Sequence, residues 1–314
     1  VIMAYTVSYQ ANGATSGTVP TQYTGPSGRT TTIAVQGSLA NAGLNYRYWY
    51  TNQIGSGGIM YSPGANYTIG SSDLSLYAIW ENTSVKYLVA TDPVWTITGN
   101  LSIEDLNTLN TLLSSSGIDV TLDLSGATLT ALPDDQFDSL PHLSGIAFPT
   151  TATFTTIGWS VFDHDNALTT IDIPGNVATI GPYAFWNDTA LVTATLHSGL
   201  TSIGDCCFSG CTSLTTINIP GTVATIGDNA FNGCASIASI TIPASVTSIG
   251  SYAFQSNTSL ISVTMLSAVP PSLGALSAFT GNASLQIHVP SAAAVAVYQS
   301  APVWSGYAAQ IVYP

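Results

Sequence analysis

The chain has 314 residues, 46% hydrophobic and only 6% charged, with three Lys or Arg against sixteen Asp or Glu and a formal net charge of −13. Such a length supports a proper core and, as a soft prior, about two domains. Three cations, Arg29, Arg47 and Lys86, cannot build the basic surface that nucleic acid or anionic lipid requires, which excludes both as partners. No apolar run reaches the roughly 18 residues of a membrane-spanning helix. No charged and apolar leader opens the chain, so a signal peptide is expected to have been removed or to lie outside this sequence. A surface made mostly of Thr, Ser, Asn, Gly and Ala gives trypsin-like proteases few cleavage sites, which fits an extracellular or cell-surface protein.

In chain order, "VIMAYTVSYQ" reads as a strand. Strand-like runs follow at 30–36, 45–50, 66–69 and 74–80, separated by Gly-rich turns. Residues 4–80 carry Asn12-Gly13, Gly17-Thr18-Val19-Pro20, Trp49, Pro63-Gly64 and Leu76-Tyr77-Ala78 with Trp80. In these they resemble the Listeria–Bacteroides repeat, where "YRYW" replaces the usual F-x-G-W. That resemblance implies a small β-grasp-like spacer or adhesion module without catalytic residues. The stretch 81–87 is too short for a flexible linker, so a rigid junction is expected.

Residues 102–113 follow, with an N-cap candidate at Ser102 and Leu106, Leu109, Leu112 and Leu113 at helical spacing. Beyond them the chain repeats itself. Ile-Gly pairs begin at Ile157, Ile180, Ile203, Ile226 and Ile249, each 23 residues after the last. Phe162, Phe185, Phe208, Phe231 and Phe254 keep step five residues later, with Phe137 and Phe279 one turn outside them. Leu143, Leu168, Leu191, Leu214, Ile237 and Leu260 form another column. Each leads into an alternating run such as "IDIP" or "ITIP", read as a short half-buried strand. A 23-residue unit cannot bury its own apolar side, whereas stacked units bury a continuous one. Seven turns at about 4.8 Å give a solenoid on the order of 30 Å long.

"LTTIDIPGNVATIGPYAFWNDTAL" resembles the leucine-rich repeat of BspA type, known from bacterial and protist surface proteins, and the likeness covers about residues 126–290. The expected fold class is mainly β: a small β-grasp-like domain followed by a leucine-rich-repeat solenoid with helical end caps. Its expected domains are a 1–80 module, an 81–125 connector with the N-terminal helical cap, 126–290 as about seven repeats, and 291–314 as a C-terminal cap.

Candidate sites are few. Cys211 and Cys234 stand one repeat apart and Cys207 takes the Ala position of the phrase "AF", so these thiols read as buried structure; Cys206 falls at a variable position and is expected to be more exposed. "DHDN" at 163–166 reads as an ordinary solvated loop, and neither a metal nor a cofactor is expected. The four His, at 142, 164, 197 and 288, fall in different turns, no nucleophile motif occurs, and no enzyme activity is expected. The residues alternating outward on successive strands are Thr170 and Asp172, Thr193 and Thr195, Thr216 and Asn218, Ser239 and Thr241, and Ser262 and Thr264. These two polar ladders read either as a recognition face or as Thr and Ser suiting exposed strand positions. Trp159, Tyr183 and Trp186 lie on loops of adjacent turns, as an exposed patch or as packing. The expected role is binding or adhesion through the solenoid face, to a protein or glycan ligand. The alternative is self-assembly into an extracellular filament, sheath or layer, with the apolar N-terminal strand added to a neighbouring copy.

Overall fold

The computed structural model describes residues 93–313, with their side chains except that of Thr98, and, before residue 93, the backbone of eight strands. These eight are β1 (Ala4–Gln10), β2 (Tyr23–Pro26), β3 (Thr30–Thr32), β4 (Asn45–Tyr50), β5 (Met60–Tyr61), β6 (Asn66–Thr68), β7 (Leu74–Glu81) and β8 (Ser84–Val85). The chain divides into two compact units, 1–87 and 88–314. In the first, a five-stranded sheet runs β2-β1-β7-β4-β5, with β1 parallel to β7 and antiparallel to β2. β1 pairs with β2 over Ala4–Val7 and with β7 over Val7–Gln10, so part of the N-terminal strand is paired on each edge within its own unit. The Listeria–Bacteroides signature residues outside these strands, and every side chain before residue 93, lie outside the described residues.

The second unit opens with β9 (Val94–Asn100), α1 (Ile103–Ser114) and β10 (Val120–Thr128), the two strands pairing in parallel. Ser102 caps α1 by accepting from the Asp105 amide, and Leu106, Leu109 and Leu113 are buried. Leu112, counted into the apolar stripe, instead faces outward.

From residue 131 each turn contributes two strands, where one was expected. The long track comprises β12 (Leu143–Ala147), β14 (Thr170–Ile173), β16 (Thr193–Leu196), β18 (Thr216–Ile217), β20 (Ser239–Ile242), β22 (Ser262–Met265) and β24 (Gln286–His288). The short track comprises β11 (Ala131–Leu132), β13 (Thr156–Ile157), β15 (Thr179–Ile180), β17 (Ser202–Ile203), β19 (Thr225–Ile226), β21 (Ser248–Ile249) and β23 (Ser272–Leu273). The short strands form one unbroken seven-stranded parallel sheet. The Thr-Ile or Ser-Ile pair that opens each repeated phrase is thus itself a strand.

The Gly that follows ends it for a steric reason. A Cβ on Gly181 would lie 2.6 Å from the backbone of Gly158, and one on Gly204 would lie 2.9 Å from that of Gly181. Consecutive turns touch backbone to backbone there, and only Gly fits.

The Ile, Phe and Leu columns are buried as expected, the seven Phe at 0–2% exposure. Consecutive Phe rings from Phe137 to Phe279 stack with centroids 5.2–6.0 Å apart. Each such pair contributes about 0.5–1.5 kcal/mol beyond its burial. On the third side of the coil the backbone bends through turns held by left-handed residues, among them Ser160, Tyr183, Cys206, Asn229 and Tyr252. A non-Gly residue pays roughly 1–2 kcal/mol for that conformation. Hydrogen bonds along the solenoid offset it: the amides of Tyr183, Phe185 and Asn187 donate to the carbonyls of Asp205, Cys207 and Ser209 at 2.8–2.9 Å.

At the far end α2 (Ala292–Ser300), a 3-10 turn at Trp304–Tyr307 and β25 (Ile311–Val312) close the stack. Trp304 and Tyr307 pack on Phe279 at 6.0 and 5.6 Å. The Tyr307 hydroxyl accepts from the Phe279 amide, as a carbonyl of a next turn would.

Candidate interaction face

The long track presents its polar ladder outward, but that face is interrupted. β14-β16-β18 form one sheet and β20-β22-β24-β25 another, and the β10-β12 pairing precedes both. The long track is therefore broken twice, and the two ladders expected from sequence, from Thr170 to Thr264, are broken once, between β18 and β20. The first break follows a turn with two residues more than the 23-residue period, between Leu143 and Leu168. At the second break, Asn218 is not a free ladder residue. Its amide donates to the Leu196 carbonyl at 2.7 Å and accepts from the Leu196 amide at 3.0 Å. One side chain thereby takes both backbone groups of Leu196, and the β16–β18 register ends at Ala194–Ile217.

Each break opens a cleft. The first, of about 480 Å³, brings Thr170, Asp172, Thr193 and Thr195 together with Thr121 and Ser144. The second, of about 370 Å³, is lined by Thr216, Asn218, Ser239 and Thr241. Ser262 and Thr264 continue outward on β22, half-buried and away from both clefts. Registers are in step within each sheet, Thr170 beside Thr193 and Ser239 beside Ser262.

The second unit carries its charge one-sidedly. All three cations of the chain, and only Asp73 and Glu81 among its acids, precede residue 88, so residues 88–314 hold fourteen acids and no Lys or Arg. At the first cleft Asp172 pairs with His197 at 2.8 Å, both exposed. His142 pairs likewise with Asp119 at 3.0 Å and His164 with Asp163 at 2.5 Å. The sequence reading missed these contacts, two of which join residues 23 and 25 positions apart.

The "DHDN" loop needs correction. Asp165 is fully buried and belongs to an inward column with Asp188, Cys211, Cys234 and Asn257, one per turn. Cys211 and Cys234 each donate an S–H to the carbonyl of a Phe in the preceding turn, at 3.0 Å. Asn282 continues the column and donates its amide to the Phe254 carbonyl. Asp165 and Asp188 instead accept backbone amides, from Leu140 and Asp165 at 2.6 and 2.8 Å, and each leaves its second oxygen without a partner. Burial holds both carboxyls well above the usual carboxylate range, with the neighbouring Asp188 adding to the effect at Asp165. Burial likewise pushes up the thiols of Cys207 and Cys211, which places these groups in the core as neutral donors. Cys206 is half-buried, its thiol raised by burial and hydrogen-bonded to Tyr183. The donor atoms of Asp138, Asp163 and His164 lie within 4.8 Å of one another.

Trp159, Tyr183 and Trp186 do come together, with Trp159–Tyr183 centroids at 6.1 Å and Tyr183–Trp186 at 5.8 Å, and Trp159 is 53% exposed.

Residues 114–192 and 179–292 match the family model described as BspA type leucine rich repeat region, in six copies that together cover more than half the chain. The chain belongs to the BspA-type leucine-rich repeat family. Among solved structures it is similar to a leucine-rich repeat protein of T. pallidum, at 27% identity over 43% of this chain and 58% of that one, with a TM-score of 0.33. A Bacteroides ovatus leucine-rich repeat protein gives 22% identity, 62% and 54% coverage and a TM-score of 0.44. A curated relative from Evansella cellulosilytica, printed as "Putative membrane protein", is 34% identical over 82 residues, and the match spans 26% of this chain and 12% of that protein. No helix among the described residues of this BspA-type chain is long and apolar enough to cross a membrane.

Proposed function

We propose that this BspA-type protein is a non-catalytic, surface-associated binding protein that engages a protein partner through the long-strand face. The observation that carries the reading is the first cleft, where Thr170, Asp172, Thr193 and Thr195 converge from adjacent turns on a rigid stacked frame. A face with no Lys or Arg and with Asp172 at its centre favours a neutral or basic partner. The domain scheme of an N-terminal spacer before a capped binding solenoid rests on the same footing. Its Listeria–Bacteroides part is supported by the mixed sheet with β1 parallel to β7. The self-assembly reading draws less support, because β1 pairs with β2 over Ala4–Val7 and with β7 over Val7–Gln10.

The test is binding of the full chain to immobilised extracellular-matrix proteins, comparing the wild type with Asp172→Lys and Thr193→Arg. Loss of binding at unchanged melting temperature supports the face. Binding indifferent to both variants refutes it.

A further inference from the structure

The aromatic row beside the turns has no structural duty that explains it. Trp159 occupies a column whose other members include Asp134, Asp205 and Asp228, and each of these acids accepts the amide one turn on, from Trp159, Asp228 and Ser251. The amide that Trp159 would have to satisfy belongs to residue 182, which is Pro and has none. Trp159 is thus freed from the column's usual work, and its side chain stays exposed. Tyr183 occupies a left-handed position that the next turns fill with Cys206 and Asn229, so the fold does not demand an aromatic there either. Trp186 is matched in the next turn by Ser209.

These rings are nevertheless contiguous. Trp159 and Tyr183 lie within 34° of one another, Trp186 stands at 89° to Tyr183, and His164 meets Trp186 edge-on at 4.9 Å. The result is a tilted two-ring floor with a perpendicular wall. Beside it lies the exposed carboxylate of Asp205, whose carbonyl accepts from the Tyr183 amide. The half-buried Asn187 amide contacts the His164 ring at 3.2 Å.

We propose that Trp159, Tyr183 and Trp186 form a binding platform for neutral β-linked glycans of equatorial hexopyranoses. The flat C–H face of such a sugar stacks on an aromatic floor, and its hydroxyls suit carboxylate and amide neighbours of the kind present here. A unit with fourteen acids, of which Asp165 and Asp188 are buried, and no Lys or Arg repels sulfated or uronic chains, which leaves neutral ones. The platform does not rest on the strand-face reading, since it lies on a different side of the coil.

The test is titration of the full chain with cellohexaose and with chitohexaose, followed by tryptophan fluorescence and calorimetry, with tetramethylammonium as a competing probe. Saturable binding of at least one hexasaccharide is expected. Trp159→Ala and Trp159→Asp, the latter installing the residue other turns carry, should each weaken it at least tenfold at unchanged melting temperature. Tyr252→Ala, an exposed aromatic two turns beyond Cys206 in the Tyr183 column, should leave it unchanged. No binding of either sugar, binding that survives both Trp159 variants, or tight binding of tetramethylammonium with none of sugar would overturn the proposal.

Discussion

The two strand tracks share every turn of the solenoid and the same period, yet one is continuous and the other is broken. The short track pairs two residues per turn across seven strands. It is locked by Gly residues that permit backbone contact on one side and by Phe stacking on the other. The long track, pinned by its inward Ile and Leu residues, is divided between β12 and β14 and again between β18 and β20. The contrast separates what makes the coil rigid from what shapes its surface. Continuity lies where backbone meets backbone, and clefts arise where side chains can substitute for it.

The sharpest break of this contrast is a charge in the locked column. Phe208→Asp or Ile203→Asp is expected to abolish the cooperative unfolding transition, since removing a core Phe alone costs about 3–5 kcal/mol and the buried charge adds to it. A melting temperature within a few degrees of wild type would contradict the stacked column. Gly181→Ala comes next. It forces a Cβ to 2.6 Å from Gly158 and should cost about 1–3 kcal/mol. Gly221→Ala, which meets nothing within 4 Å, should lie within about 0.5 kcal/mol of wild type. Equal effects at the two positions would remove the backbone-contact argument.

The buried acids sharpen the comparison along the solenoid axis. At Asp165 and Asp188 the folded state holds its protons above the unfolded value of 3.8. The unfolded chain releases them first, so stability is fully present below that value and falls as pH rises. Chemical denaturation from pH 4 to pH 7 should show this decline. Asp188→Asn, which copies Asn257 and Asn282 of the same column, should flatten it and raise stability at pH 7. A variant with an unaltered pH slope would place the cause elsewhere. The smallest effects belong to the broken track. Asn218→Ala should cost about 1–2 kcal/mol through the two orphaned Leu196 groups. Thr170→Ala should stay within about 0.5 kcal/mol, and a larger loss would mean that its side chain is structural.

Much of the frame was legible in the residues. An interval of 23 residues, stretched to 25 only at the ends of the series, places each inward Ile, Phe and Leu against its own copy, because a stacked coil turns sequence period into spatial contact. The candidate face was legible only as a row of outward positions. Its division was not, since strand pairing is settled by contacts between turns, of which the Asn218 amide reaching a backbone 22 residues away is one. Nor was Asp165, whose neighbours in sequence are polar and whose neighbours in space are Leu140 and Asp188. The left-handed columns were hidden as well, because Tyr and Cys disfavour that conformation and adopt it only where hydrogen bonds to the next turn compensate.

The sequence by itself determined the period, the apolar columns and a strongly acidic composition. Each follows from residue type and spacing alone. Only the tertiary structure decided the second strand track, the two clefts, the neutral burial of two carboxyls and the joining of Trp159 to Tyr183. Those depend on which groups of adjacent turns come within hydrogen-bond or ring contact, a distance of a few ångströms that no count along the chain encodes.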